Sequence, residues 1–218
     1  MKNILLLLII IISFSSVSQN ISVPFDKKIF KEQKEAFKIA VDNLEEGNKF
    51  YELGQNPAIG FSIWSKAIPF YKKANDFNSN NASLNYKLGN CNLVSIHKYH
   101  ALDYFLQAYK LKPTIAKDIH YKIGRAYQYQ YKFDEAIYEY GLFRKTLNND
   151  TDARIIVELN RFVKQCETGK TLMEFPERVW VDNLGKQINT EYPDYAPLIS
   201  ADESVIMFTS RRSNSTGG

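Results

Sequence analysis

Small and aromatic residues return at a nearly constant interval through the middle of the chain. Gly124, Ala136 and Tyr140 stand 35 positions after Gly89, Ala101 and Phe105. Ala101, Phe105 and Ala108 stand 34 after Ala67, Tyr71 and Ala74. An interval of about that length predicts stacked helical hairpins, none of which buries its apolar face alone. Ahead of them, between Asp26 and Phe50, Ile29, Phe30, Phe37, Ala40, Val41 and Leu44 recur at threes and fours with charges between. That spacing predicts a first amphipathic helix over the whole segment.

The middle unit, Ala82 to Lys112, is the most regular. With Gly89 counted as position 8, Leu88 falls at 7, Ala101 at 20, Phe105 at 24, Ala108 at 27 and Pro113 at 32. On these positions it resembles the tetratricopeptide repeat. Positions 8 and 20 are small so that two antiparallel helices approach closely, and 24 and 27 pack against the next hairpin. Pro113 lacks a donor and ends the second helix. The unit Lys117 to Asn148 keeps Ile123, Gly124, Tyr127, Ala136 and Tyr140, but has Phe143 where a small residue is usual and Asn148 where proline is usual. The first unit keeps Gly47, Phe50, Ala67, Tyr71 and Ala74 with a longer gap inside it. The breaker-rich stretch Leu53 to Gly60 predicts an inter-helix loop there. Asp150 to Glu167, with Ile155, Ile156, Leu159, Phe162, Val163 and Cys166 on one side, predicts one more helix. It begins at the capping residues Asp150, Thr151 and Asp152 and stops at Gly169, and it suits the capping of a solenoid.

At Met173 to Pro176 the character changes. Val179 and Val181, then Val205, Met207 and Thr209, alternate with other residues as strands do. Asp194 to Arg212 resembles the opening of a PD40 repeat, a WD40-like propeller blade. In that motif an Asp-containing turn, here Ser200 to Glu203, joins two strands, and the second ends in Phe208-Thr-Ser-Arg-Arg212. Glu203 stands where the motif has glycine. One blade cannot close a propeller of ~4–8 blades, so the chain is expected to be the N-terminal part of a longer protein or the product of an early stop.

The first eighteen residues read as a secretory signal. Lys2 gives a positive start, Ile4 to Ile12 is an unbroken apolar run, and Ser16-Val17-Ser18 places cleavage before Gln19. The run falls short of the ~20 apolar residues that span a bilayer. The first cysteine is Cys91, so no lipid attachment behind the run is expected. The predicted organisation is a signal over 1–18, a leader and helix start over 19–36, three hairpins and a capping helix over 37–170, and an incomplete propeller start over 171–218. No later transmembrane span is expected. A net charge of +4, spread over both signs, gives no nucleic-acid footprint. Cys91 and Cys166 lie beside apolar helical neighbours and read as small buried hydrophobes with free thiols, although an exported chain could pair them.

Candidate chemistry is sparse. His97 and His100, with His120 further on, lack a Cys or carboxylate at ligand spacing and read as solvated turn residues rather than a metal site. Tyr127-Gln-Tyr-Gln-Tyr-Lys-Phe133, with Tyr138 and Tyr140, offers a stacking platform for sugars or bases. The repeat register instead places Tyr127 and Tyr140 in packing positions and Tyr131 and Phe133 around a turn. No Gly-x-Ser-x-Gly turn and no glycine-rich loop before a helix is present, so an enzyme is not expected, nor a cofactor or metal.

The tetratricopeptide resemblance implies that positions 2, 5, 9, 12 and 13 of each first helix face a groove. These are Ser83, Tyr86, Asn90, Leu93 and Val94; Asp118, Tyr121, Arg125, Gln128 and Tyr129; and, in the first unit, Leu44, Asn48, Tyr51 and Glu52. Asn90 and Arg125 are the leading polar contacts, with Gln128 beside them and Tyr86, Tyr121 and Tyr129 as aromatic anchors. Such a set suits a peptide or protein helix. The chain's own leader or its β-region is an alternative filling.

Signal, repeats and PD40 start, in that order, resemble bacterial cell-envelope proteins that continue through a propeller and commonly end in an OmpA-like peptidoglycan-binding domain. The likeness spans Phe37 to Arg212. It implies a non-catalytic periplasmic scaffold associated with the outer membrane, holding protein partners in its solenoid. Some relatives anchor type IX secretion and gliding machinery to the cell wall; a peptidoglycan-binding part is not among these residues. A periplasmic sensor or carbohydrate-binding protein, acting through a downstream propeller, is the rival reading. A hydrolase with its catalytic domain beyond Gly218 is a third.

Overall fold

Repetition organises the helical part of the molecule. The structure is a computed structural model that describes residues 21–213, so the signal reading of 1–18 lies outside the described residues. Among these, helices α1 (Lys34–Leu53), α2 (Ile68–Phe77), α3 (Ala82–Leu93), α4 (Ala101–Leu111), α5 (Ile119–Tyr129), α6 (Phe133–Arg144) and α7 (Ala153–Glu174) precede strands β1 (Asp194–Ile199) and β2 (Ile206–Ser210). The helices form one compact unit ending at Glu174, and a second unit begins at Phe175. The mostly α class, with a short antiparallel β segment behind a stack of helical hairpins, is as the pattern predicts.

α1 pairs with α2, α3 with α4 and α5 with α6, and successive hairpins meet through α2–α3, α4–α5 and α6–α7. The recurring positions are the core: Ala67, Tyr71, Ala74, Ala101, Phe105, Ala108, Ala136 and Tyr140 have no exposed surface. The glycines serve the aromatic of the partner helix. A methyl group on Gly89 would lie 2.5 Å from the Phe105 ring, and one on Gly124 would lie 2.6 Å from the Tyr140 ring. Tyr71 crosses Gly47 in the same way. Position 8 is thus small for the ring at 24 more than for the alanine at 20, although the Ala136 carbonyl also comes within 3.2 Å of such a methyl. Phe143, large where its counterparts are small, packs with Leu159, Phe162 and Cys166 on the α6–α7 side.

Four boundaries differ from the sequence prediction. The first helix starts at Lys34 rather than Asp26. The Asp26 carboxylate accepts from Lys28 N at 2.8 Å and closes a turn. Phe30 then folds back onto Phe37, at 5.6 Å between ring centres, and Phe77, at 4.9 Å. Ring burial outweighs about two more helical turns. In the long link of the first hairpin, a 3₁₀ helix over Phe61–Ala67 follows the predicted loop. Its Trp64 stacks on Tyr51 at 4.4 Å and donates from Nε1 to the Tyr51 carbonyl at 2.7 Å.

α7 passes through Gly169 to Glu174. Gly169 is not a C-cap; it is the place where the Phe133 ring presses on the helix, 2.5 Å from where a methyl would sit. Finally, Val179 and Val181 are not in a strand. Val181 is 91% exposed, so no apolar face there rewards extension.

Local chemistry sets the remaining ends. Asn81 caps α3 by accepting from Leu84 N at 2.8 Å, and α4 stops one residue short of the extended Lys112 that precedes Pro113. The leader docks at the same corner. Val23 N donates to the Asn80 carbonyl at 2.7 Å, and the Asn78 and Asn81 side chains donate to the Val23 carbonyl at 3.0 and 2.9 Å.

In the β-unit, Asp194 pairs with Ser210, Tyr195 with Thr209, Leu198 with Met207 and Ile199 with Ile206, with a bulge between Tyr195 and Leu198. Glu203 adopts φ +59°, the conformation for which glycine is favoured. Asp202 holds the turn: its Oδ1 accepts from the Ser200 hydroxyl at 2.6 Å and the Ser204 hydroxyl at 2.9 Å. These two hydroxyls draw the Asp202 pKa down to about 2. Among the described residues no helix is long and apolar enough to cross a membrane.

Candidate partner-binding face

Residues three and four apart on a helix share a side. Tyr86 and Asn90 do so on α3, and Tyr121, Arg125, Gln128 and Tyr129 do so on α5. Each set builds its own polar cluster.

Asn90 is only 3% exposed. Its Nδ2 donates to the Tyr51 hydroxyl of α1 at 3.0 Å. Its Oδ1 is buried and accepts no hydrogen bond among the described residues, a costly condition for an amide oxygen. Tyr86 donates from its hydroxyl to Asp118 Oδ1 at 2.6 Å, tying α3 to the start of α5. Lys122 Nζ stands 3.8 Å from the other Asp118 oxygen. Beside them, Lys87 Nζ donates to Asn48 Oδ1 at 2.7 Å and lies over the rings of Tyr51 and Tyr71. Burial lowers the Lys87 pKa, against the raising pull of Glu52. Burial pushes the Tyr51 hydroxyl up to about 12. Burial and the Asp118 bond drive the Tyr86 hydroxyl well above its ordinary range.

On α5 the Arg125 guanidinium donates to Gln128 Oε1 at 3.1 Å and to the Tyr129 hydroxyl at 2.9 Å. It lies 4.0 Å from the Phe162 ring centre and 5.1 Å from that of Tyr129, a stacked arrangement that a planar cation favours. Gln128 Oε1 also accepts from the Tyr140 hydroxyl at 2.8 Å, and its Nε2 reaches Gln165 of α7. Tyr121 packs among Tyr140, Phe143 and Phe162, and its hydroxyl points to Glu158 at 3.4 Å.

The predicted contacts therefore divide. Asn90 and Tyr86 belong to the α1–α3–α5 side. Arg125, Gln128 and Tyr121 already meet α7, which occupies part of the face that the repeat register leaves to a partner. Tyr129 and Val94 are outward members of the face, 37% and 36% exposed, and Ser83 and Glu52 are exposed with them. The described part of the leader bonds at the Asn78–Ala82 turn instead of filling this face. Lys87 and Lys122 were not singled out from the sequence; a lysine at helical spacing reads as a solvated residue until its neighbours are known.

The other candidates resolve simply. His97 and His100 are exposed around a 3₁₀ turn, while His120 Nδ1 meets Glu139 Oε2 at 2.7 Å. Among the described residues no group of three or more His, Cys, Asp or Glu is arranged to hold a metal ion. Tyr131 is 70% exposed at a turn with φ +60°, and Tyr127 joins the core. Cys91 and Cys166 are free and buried, and burial pushes their thiols up to about 12 and about 11. Neither is thiolate near neutral pH, so neither is a ready nucleophile.

Comparison with protein-family models and with curated proteins returned no match to this chain.

Proposed function

We propose that the chain is a non-catalytic adaptor of the bacterial cell envelope, exported to the periplasm, that holds a protein partner along the first-helix faces of α1, α3 and α5. Stacked hairpins present a row of side chains from successive repeats, which is how such arrays bind extended partners. The observation that carries the reading is the pair Val94 and Tyr129, which stand at the same repeat position on successive hairpins and are 36% and 37% exposed. The apolar run behind Lys2 supports export, and the β1–β2 hairpin with its Asp202 turn supports the propeller-type half of the likeness.

Site-specific photocrosslinking in cells tests this. A benzoylphenylalanine at Val94 or Tyr129 is expected to trap an envelope protein, whereas one at Tyr138, which is exposed on α6, is expected to trap none. The reverse pattern would move the partner to the second-helix face and discard the assignment.

A further inference from the structure

We infer that the cleft where the start of α6 meets the last turns of α7 binds a neutral saccharide, with the Tyr131 ring as its stacking surface. The cleft has a volume of about 420 Å³, a size that suits a small ligand. Its walls all belong to the helical unit, and none of them is a residue of the α1–α3–α5 face. Tyr131 is the informative wall. Lys132 N donates to the Tyr127 carbonyl and Tyr131 N to the Gln128 carbonyl, both at 3.1 Å. These two bonds close α5 with a turn whose left-handed position ordinarily falls to glycine. A tyrosine stands there instead, at φ +60°. Burial does not offset the backbone cost, because Tyr131 is 70% exposed. A bulky residue held in that conformation with its ring in the open points to a use for the ring.

The ring has a packed base. Phe133 meets it nearly at a right angle, 83° with centres 6.2 Å apart, and itself presses on α7 at Gly169. The remaining walls supply both kinds of polar group. Lys170 of α7 pairs with Asp134 of α6. Glu135 and Glu174 are exposed and, among the described residues, enter no ion pair. Met173, 58% exposed, adds an apolar patch. A pyranose has the same mixed surface. Its C–H face packs on an aromatic ring, and its hydroxyls donate to carboxylates and accept from an ammonium group. Charge narrows the choice further. The carboxylates of Asp134, Glu135 and Glu174 outnumber Lys132 and Lys170 and oppose a phosphate backbone, which disfavours stacked nucleic-acid bases. The two lysines in turn oppose an organic cation, which the ring and carboxylates would otherwise attract. A neutral, hydroxyl-rich ligand satisfies every wall.

Isothermal titration calorimetry with the purified chain tests it, using maltotriose, cellotriose and chitotriose, with an oligothymidylate and spermidine as the competing chemistries. At least one trisaccharide is expected to bind, with little response to salt because the ligand is uncharged. Tyr131→Phe should keep that binding, since the ring face stays. Tyr131→Gly should weaken it about ten-fold or more, the loss of one stacked ring. The same variant should raise the thermal midpoint, because glycine relaxes the left-handed turn; a ring that only propped the fold would lower it. Failure of all three trisaccharides overturns the inference. So does binding that survives Tyr131→Gly undiminished, or a lowered midpoint in that variant. Tighter binding of oligothymidylate or spermidine that is lost in Tyr131→Gly also overturns it, since the cleft would then take a base or a cation. Crosslinking at Val94 and Tyr129 does not depend on any of these results.

Discussion

The helical unit and the β-unit bury themselves in opposite ways. In the first, rings such as Tyr71, Phe105 and Tyr140 have no exposed surface, because each hairpin lends its apolar side to the next. In the second, Leu198, Ile199 and Met207 are about three-fifths exposed, and every residue of β1 lies open. Two strands make one ribbon, and a hairpin of this size taken by itself is marginal in water. Repetition gives each helix a neighbour along the chain. Among the described residues the β1–β2 sheet has no third strand, so the same kinds of apolar side chain are buried in one unit and left largely exposed in the other.

That contrast breaks most sharply under truncation. Phe105→Ala empties a fully buried ring site and should cost ~3–5 kcal/mol. Met207→Ala, at a 60% exposed site, should stay within ~0.5 kcal/mol. Urea unfolding followed by circular dichroism and by near-ultraviolet signals separates the two, and equal costs would abolish the distinction. A subtler version uses glycine in both directions. Gly89→Ala drives a methyl into the Phe105 ring and should destabilise by ~1–3 kcal/mol. Glu203→Gly releases a left-handed backbone and should stabilise the turn by at most ~1 kcal/mol.

The smallest effect is electrostatic and confined to the β-turn. Asp202 has its pKa lowered, so its contribution to the turn is present above the ordinary carboxylate range and lost as pH falls through about 2. A carbon-detected NMR titration should find that midpoint, and Ser200→Ala should move it upward by removing the largest cause. An unshifted midpoint in the variant would mean that the Ser200 hydroxyl does not hold the carboxylate.

The hairpins were legible because their information is local. Small, small and aromatic residues at a fixed interval coincide with the sites of complete burial, and Pro113 marks an end that the structure respects. The site was legible only in part. Asn90 is buried against Tyr51 and Tyr86 is tied to Asp118, while Tyr121 and Arg125 face Phe162, more than thirty residues away in α7. Lys87 acquires interest only through Asn48, Tyr51 and Tyr71 of the preceding hairpin. Trp64 stacking on Tyr51 was hidden for the same reason, since a breaker-rich stretch gives no sign of what its far end will pack against.

From the sequence alone came the repeat interval, the helix-rich class and the side of each helix that turns inward, because side-chain size and spacing act within one or two turns. Tertiary structure decided where α1 begins, why α7 runs through Gly169, and which candidate residues stay available to a partner. Those outcomes depend on which distant ring arrives to cover an apolar side or a charge, and that competition is settled by packing between hairpins rather than by spacing within one.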